Sequence, residues 1–341
     1  MKTAVSAIGL GLALLAAGCG SSPKVAAPAP PDRLHLERAG DVLPAPGLHD
    51  ALLVRPRDLA AEPEFLAAIE RVFPKKERLG YVEARGGVDP FEGHETVVAH
   101  YTHSELMYVR APLEPGRVEA AATKRLLLEG RAVDGNGAVI RLFGATIRTG
   151  TPSPETALEG RQVALLSREA YVEESGTRKP LSALTGLARG RITHTFSLFG
   201  SEPAVAALAD WPVVYYVAGP FPKTAGAGLL AAAKMALVRA KPMPGDGRHA
   251  AVEWYIFADY SRDPARAVET ATAEEARIAE SALGRLLGLD RAPRRDPPIA
   301  DAQGLHGGAV VDVERLASGL LAATRGDATS LKDLDAPFPG R

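Results

Sequence analysis

The sequence predicts an α+β fold in which antiparallel sheets carry helices packed on one face. Three observations support this class. Stretches rich in branched and aromatic residues, which favour strands, alternate with stretches of helical periodicity that begin at capping residues. Several strand-like stretches are long, which is typical of sheets with one solvated face. Hydrophobic residues make up 46% of the 341-residue chain, enough for a large core, although many of them are alanines.

In the first half of the body, the pattern alternates between strands and helices. Asp58 is a suitable N-cap for the first long helix, and Pro115-Gly116 opens the second. The segment Asp134-Gly-Asn-Gly137 is a turn signal between two strand-like stretches. The predicted strands are 51–54, 95–110, 138–148 and 162–172, and the predicted helices are 58–72, 117–129 and 180–189.

The second half of the body shows the same alternation of predicted strands and helices. Ser201 and Asp312 are suitable N-caps, and Asp263 followed by Pro264 is a strong helix start. Residues 250–260 have the clearest strand pattern of the chain. The predicted strands are 192–199, 213–217 and 250–260, and the predicted helices are 201–209, 226–240, 264–288 and 312–323.

These elements suggest four segments: a signal peptide at 1–18, a Pro/Ala/Ser-rich tether at 19–32, and α+β subdomains at 33–190 and 191–341. The tripeptide Leu-Phe-Gly occurs at 142–144 and again at 198–200. A short match of this kind leaves two alternatives open, an internal duplication or a coincidence.

The N-terminus carries the most specific motif. Lys2 is followed by an uncharged apolar stretch from residue 4 to residue 17, and then by Gly18 and Cys19. This is the pattern of an export signal. The segment Leu15-Ala-Ala-Gly-Cys19 resembles the lipobox of bacterial lipoproteins, with alanine at position 16, where the family usually has leucine. The body of the chain resembles no family that we can name.

The lipoprotein resemblance implies that signal peptidase II cleaves between Gly18 and Cys19 and that Cys19 is acylated. The lipid bilayer is then a partner of the protein through the acyl chains. Gly20, rather than an aspartate, follows the cysteine, which implies sorting to the outer membrane. Acylation also accounts for the single cysteine, because an exported chain with one thiol cannot form an internal disulfide.

The rest of the sequence predicts no catalytic residue, no cofactor and no metal ligand. Forty basic and 41 acidic residues give a net charge of −1, which does not favour nucleic acid. Residues 213–234 resemble a phosphate-binding loop in outline, but Pro222 replaces its essential glycine. His94 and His100 are too far apart along one strand to share a metal. Neither nucleotide nor metal binding is expected.

Aromatic residues supply the remaining candidates. Adjacent aromatics at 215–216 and 254–255 point to opposite faces of their strands. One of each pair is expected in the core, and the other is either covered by a helix or available to a partner. We single out Tyr216, Trp254 and Tyr255 as a candidate binding surface.

Together these observations predict a membrane-anchored envelope lipoprotein with a binding or scaffolding role rather than an enzymatic one, and an envelope protein as a further partner. The alternative is a hydrolase or small-ligand-binding protein whose site is assembled from scattered residues. A binding module should present an apolar patch or an unpaired edge strand. A hydrolase or small-ligand-binding protein should present a cleft with polar groups. Tyr255 or Trp254 beside a histidine or carboxylate in such a cleft would favour this alternative.

Overall fold

The computed structural model describes residues 34–133, 139–147, 158–177, 179–292 and 294–324. The strands are β1 (Leu48–Val54), β2 (Glu95–Tyr101), β3 (Ser104–Arg110), β4 (Leu127–Val133), β5 (Val139–Ile147), β6 (Leu158–Leu166), β7 (Ala170–Gly176), β8 (Val213–Ala218), β9 (Met235–Met243), β10 (Asp246–Phe257), β11 (Arg294–Ala300) and β12 (Leu305–Asp312). Across the described residues they form one antiparallel sheet in the order β11-β12-β10-β9-β8-β1-β2-β3-β7-β6-β5-β4.

Helices occupy the connections between the strands. They are α1 (Ala39–Val42), α2 (Pro56–Ala60), α3 (Pro63–Val72), α4 (Lys75–Glu83), α5 (Pro115–Arg125), α6 (Lys179–Ala188), α7 (Leu198–Ser201), α8 (Pro203–Leu208), α9 (Pro264–Glu280), α10 (Ala282–Leu286) and α11 (Val313–Thr324). Short 3-10 segments lie at His194–Phe196, Ala225–Ala232 and Leu289–Arg291. The predicted α+β class with an antiparallel sheet is confirmed.

The sheet consists of two sequence-contiguous halves. Strands β1–β7 form one half and β8–β12 the other, and they join where β1 pairs with β8, with Ala51 opposite Tyr216. The described residues belong to one compact unit. The two predicted subdomains therefore share a single sheet, and their origin by duplication stays a prediction.

The main core lies on the face of the sheet that carries Ala51 and Leu53, which we call face A. Helices α1, α6, α7 and α8 cover it, and it includes the fully buried Leu106, Leu181 and Leu198. Period-two alternation explains its composition, because every second residue of each strand points to this face. Face A therefore carries the largest apolar cluster of the described residues.

Helices also cover parts of the opposite face, face B, where α9 contacts Trp254 of β10. Near β3, β6 and β7, helix α5 packs Val118 against Val109 and Val163. Near β10 and β12, helices α2, α3 and α11 pack around Ala250 and Val311. Helices thus lie on both faces rather than on one, because both faces of the central strands carry apolar residues that require cover.

Two sequence predictions are wrong for reasons of backbone conformation. Residues 226–240 were expected to be a helix, but Gly226, Ala227 and Gly228 have φ of 53°, 52° and 91°, which a right-handed helix does not accommodate. The chain then enters β9, between β8 and β10. Residues 192–199 were expected to be a strand, but the Ser197 hydroxyl accepts the Gly200 N–H and caps α7 instead.

Other predictions are confirmed with changed boundaries. The predicted strand 162–172 is two strands, β6 and β7, because Ser167 has φ of 58° in the turn between them. Asp263 and Asp312 cap α9 and α11 by accepting the N–H groups of Arg266 and Arg315. The sequence patterns did not reveal β11 and β12, which contain proline and glycine pairs at 297–298 and 307–308.

The repeated tripeptide does not mark equivalent positions. Residues 142–144 lie in strand β5, whereas residues 198–200 lie in helix α7. The predicted turn at 134–137 and the tether lie outside the described residues. Among the helices that the structure describes, none combines the length and the apolar character that crossing a bilayer requires.

Candidate functional site

The predicted lipidation site at Gly18 and Cys19 lies outside the described residues. Acylation of Cys19 and cleavage after Gly18 therefore stay predictions. The sites considered below belong to the folded body, which begins shortly after the predicted tether.

The three aromatic candidates do not form one surface. Tyr216 is buried in the face A core at 5% exposure, so it packs the fold rather than contacting a partner. Trp254 is half-buried on face B, where its indole N–H donates to Glu275 of α9 at 3.0 Å. Tyr255 is half-buried on face A and lines a cleft. Of the three, only Tyr255 is placed to contact a ligand.

The cleft beside Tyr255 lies between α8, β10 and the β11–β12 turn and has a volume of about 260 Å³. The Tyr255 ring is stacked on the His306 ring at 5.5 Å between centroids, with an interplanar angle of 19°. The Tyr255 ring is also stacked on the ring of Phe257, two residues further along β10, at 6.3 Å between centroids and with an interplanar angle of 21°. The cleft is lined by Ala204, Ala207, Leu208, Tyr255, Ile256, Phe257, Asp301, Gln303, Gly304, Leu305 and His306.

Neighbouring polar groups fix the Tyr255 ring. Its hydroxyl donates to Glu253 at 2.8 Å and accepts from Arg239 at 3.1 Å. Arg239 also lies over the Trp211 ring at 4.3 Å, a cation–π contact. Burial raises the pKa of Tyr255, so the phenol stays protonated near neutral pH. The ring is thus held as a rigid, uncharged wall of the cleft.

A larger cavity of about 430 Å³ lies between α2, α3 and the loop that precedes β2. Four of its charged lining residues are already paired, Lys75 with Glu92 and Arg78 with Glu70. Arg57, also in the lining, donates to the Glu92 carbonyl oxygen. An incoming ligand would have to break these ion pairs. This cavity is therefore a weaker candidate than the aromatic cleft.

A row of apolar side chains is exposed in the middle of face B. Leu52, Tyr215 and Val238 are direct cross-strand neighbours on β1, β8 and β9. They are 37%, 40% and 40% exposed. This row lies between the two helix-covered regions of face B and forms a small apolar patch.

Strand β4 forms one edge of the sheet and is exposed along its length. Leu127, Leu128 and Val133 on this strand are 56%, 38% and 42% exposed. Within the described residues, β4 pairs only with β5. An edge strand directs alternate backbone N–H and C=O groups outward, so β4 presents both apolar side chains and backbone groups to a further strand.

The other edge of the sheet, β11, is protected. Pro297 and Pro298 remove two backbone donors, and the pairing with β12 shifts register twice. Helix α9 also packs against β11. Prolines, bulges and a covering helix are features that prevent strand addition at an edge. The two edges of the sheet therefore differ in their capacity to bind an extended chain.

Buried Glu173 on face B organises the largest charged cluster. Its carboxylate accepts from Arg125 at 2.6 Å, Arg161 at 2.8 Å and Arg85 at 2.9 Å, and from the Tyr171 hydroxyl at 2.5 Å. Burial by itself would raise the pKa of Glu173, but the arginine contacts outweigh it and hold the pKa at about 2. This network ties α4, α5, β6 and β7 together, which indicates a structural role.

A second buried carboxylate, Glu95, lies on face A. It accepts the backbone N–H of Ala39, the first residue of α1, at 2.7 Å. Burial raises its pKa, against the opposing effects of this hydrogen bond and of Arg110. Glu95 thereby holds the N-terminal part of the described body against the sheet.

His100 of β2 and His94, which directly precedes β2, have separate partners. His100 contacts the Asp50 carboxylate at 2.7 Å, and His94 contacts the Arg57 guanidinium. Among the described residues, no group of three or more histidines, cysteines and carboxylates is arranged to hold a metal ion.

Sequence reasoning missed the exposed residues of β4 and the cleft residue His306. Leu127 and Leu128 were assigned to the end of a predicted helix, although Gly130 and Val133 disfavour a helix there. His306 carried no sequence signal, because β12 itself was missed. Its contact with Tyr255 depends on pairing between strands that are some 50 residues apart in sequence.

No family model and no curated protein matches this chain. Two solved structures, crystal forms I and III of TP0453, are similar to it with TM-scores of 0.44 and 0.45. Their sequence identities are 10% and 8%, over 83% and 84% of this chain and 97% and 99% of the TP0453 chains. Likeness at this level carries no conclusion about function.

Proposed function

We propose that this protein is a lipid-anchored binding module of the bacterial envelope that holds an extended segment of a partner protein at strand β4. The observation that carries the proposal is the exposed, apolar edge formed by Leu127, Leu128 and Val133. The anchor is Cys19, acylated as its lipobox-like context implies.

Backbone chemistry favours an extended polypeptide as the occupant of β4. The outward N–H and C=O groups of an edge strand match the spacing of another strand and not that of a lipid or a small molecule. Because of the register shift between Leu128 and Gly130, Leu127 and Val133 face opposite sides of the sheet and would contact side chains on opposite faces of the added strand. Arg131 of β4 is already paired with Glu119 of α5 at 3.2 Å, so the apolar side chains carry the proposed recognition.

The contrast between the two edges supports a directed interaction. Edge β11 has two prolines and register shifts, whereas β4 has one register shift, beside Gly130, and two charged residues. A sheet with both edges open would tend to polymerise. With one protected edge, strand addition at β4 ends with a single partner.

Site-specific photocrosslinking tests the role of β4. A photoreactive amino acid would replace Leu127 in one protein and Ile278, which is similarly exposed on α9, in a matched control. We expect one defined adduct from position 127 in intact cells and none from position 278. The double substitution Leu127→Lys with Val133→Lys should abolish binding of the identified partner, whereas Leu66→Lys with Ile278→Lys should not.

Three outcomes would overturn the assignment. An adduct only with a second copy of this chain would show self-association instead. An adduct from Tyr215 but not from position 127 would move the interaction to face B. Binding that survives both lysine substitutions in β4 would show that the edge is not the contact.

The anchor is tested separately by metabolic labelling with an alkyne-bearing fatty acid. The wild-type chain should become labelled and fractionate with membranes, whereas Cys19→Ser should remain unlabelled. A labelled Cys19→Ser protein, or an unlabelled wild type, would refute acylation at Cys19.

A further inference from the structure

The aromatic cleft on face A has features of a ligand site that are independent of β4. It lies in the other half of the sheet, at β10 and β12, and its floor is the row of rings formed by Phe257, Tyr255 and His306. Since the hydroxyl of Tyr255 is held by Glu253 and Arg239, the central ring of this floor is fixed before any ligand arrives. Preorganisation of this kind lowers the entropic cost of binding.

Polar groups lie at one side of this apolar floor. The Asp301 carboxylate accepts the backbone N–H groups of Gln303 and Gly304 at 2.7 and 2.9 Å, which fixes the turn between β11 and β12. The side-chain amide of Gln303 and the ring nitrogens of His306 have no hydrogen-bond partner among the described residues. The cleft thus offers both donors and acceptors next to stacked rings.

Size and charge narrow the class of ligand. A volume of about 260 Å³ is below the range of pockets that enclose a drug-sized molecule, so the cleft suits a single small ring. No lysine or arginine lines it, and Asp301 is acidic. Phosphates and carboxylates are therefore disfavoured. A purely apolar ligand would bury Gln303 and His306 without hydrogen bonds, which is costly.

We propose that this cleft binds a neutral pyranose ring of a glycan. A pyranose has an apolar C–H face that can pack on the rings of Tyr255, Phe257 and His306. Its hydroxyl groups both donate and accept hydrogen bonds. They can therefore donate to the Asp301 carboxylate and bond to the donors and acceptors of Gln303 and His306. The half-open cleft leaves room for the chain to continue beyond the bound ring.

Saturation-transfer NMR with neutral oligosaccharides tests this proposal on the purified protein. Chitotetraose and maltotetraose are the probes, and an oligogalacturonate of equal length tests the effect of negative charge. We expect saturation transfer to at least one neutral probe, concentrated on the ring protons of one sugar unit. The acidic probe should bind more weakly, because Asp301 repels it.

Substitutions in the cleft test whether the oligosaccharide binds there. Ala207 is an exposed residue of α8 that lines the cleft, so Ala207→Trp fills the cleft without removing a core contact. We expect it, and Gln303→Ala, to weaken binding by about tenfold or more. Tyr215→Ala removes an exposed aromatic from face B and should leave affinity unchanged. Circular dichroism confirms that each variant is folded.

The proposal is overturned if neither neutral probe shows transfer at millimolar concentration, or if binding persists in Ala207→Trp. A phenylalanine-rich neutral peptide serves as the competing ligand. If this peptide binds at the cleft and the oligosaccharides do not, the cleft recognises aromatic side chains and the glycan assignment is wrong.

Discussion

Replacing Glu173 with glutamine should destabilise the protein strongly at neutral pH. The carboxylate is 4% exposed and carries the negative charge that faces Arg85, Arg125 and Arg161. Glu173→Gln preserves the size of the side chain but leaves three guanidinium groups facing a neutral amide that also brings its own donors. Breaking one partner of a buried ion pair costs about 3–5 kcal/mol.

The pKa of Glu173 gives an independent magnitude. It is held at about 2, against an ordinary value of 4.5. Because one pKa unit corresponds to about 1.4 kcal/mol, the ionised carboxylate contributes roughly 3 kcal/mol of stability at pH 7. A depressed folded-state pKa stabilises the protein above the unfolded-state value. This contribution is therefore lost as pH falls from about 4.5 to about 2.

Urea unfolding followed by circular dichroism measures both effects. The free energy of unfolding of Glu173→Gln should be lower than that of the wild type by about 3 kcal/mol or more at pH 7. The difference should shrink as pH approaches 2. Glu105→Gln, at an exposed position of β3, is the control and should change stability little. Equal unfolding midpoints for Glu173→Gln and wild type at pH 7 would refute the reasoning.

Three further substitutions test other parts of the fold. Asp263→Ala removes the acceptor of the Arg266 N–H at the start of α9, and should lower stability by about 1 kcal/mol in thermal unfolding; no change would show that the cap is dispensable. Leu106→Ala creates a cavity at a fully buried position and should cost about 2–5 kcal/mol in urea unfolding; a cost below 1 kcal/mol would contradict the packing. Glu95 has a pKa raised by burial, so its stabilising contribution is present at low pH and is lost as pH rises through that pKa. Glu95→Gln should remove this pH dependence and gain stability relative to the wild type as pH rises; an unchanged difference between pH 4 and pH 8 would contradict it.

Local signals were sufficient for several elements. Asp263 with Pro264 predicted the start of α9, and Asp312 predicted the start of α11, because a cap acts within a few residues of itself. The branched and aromatic stretch at 213–217 predicted β8. These elements depend on residues that are close together in the sequence, so the sequence pattern alone was enough to predict them.

Pairing between strands that are far apart in the sequence explains why β9 and β12 were not predicted. The predicted helix 226–240 is rich in alanine. Its last residues, 235–240, instead belong to β9, because β8 and β10 are available on both sides. Pairing with β10 likewise places β12, where Gly307 leaves space for Trp254 across the strand pair. Strand pairing between distant segments overrides local propensity.

The candidate sites also depend partly on local sequence pattern and partly on contacts between distant residues. Alternation along a strand predicts that Trp254 and Tyr255 point to opposite faces, but it does not predict which face a helix covers. The fold places α9 against Trp254 and leaves Tyr255 beside His306 in a cleft. It also places β4 at an edge of the sheet, a position that depends on the order of all twelve strands described.

The sequence by itself determined the α+β class, the starts of α9 and α11 and the expectation of a lipid anchor at Cys19, because each rests on local sequence patterns. Only the tertiary structure decided the strand order, the faces that helices cover, the position of β4 at an edge of the described sheet and the cleft at Tyr255. These features arise from contacts between residues far apart in the chain, and such contacts are settled by the packing of the whole sheet.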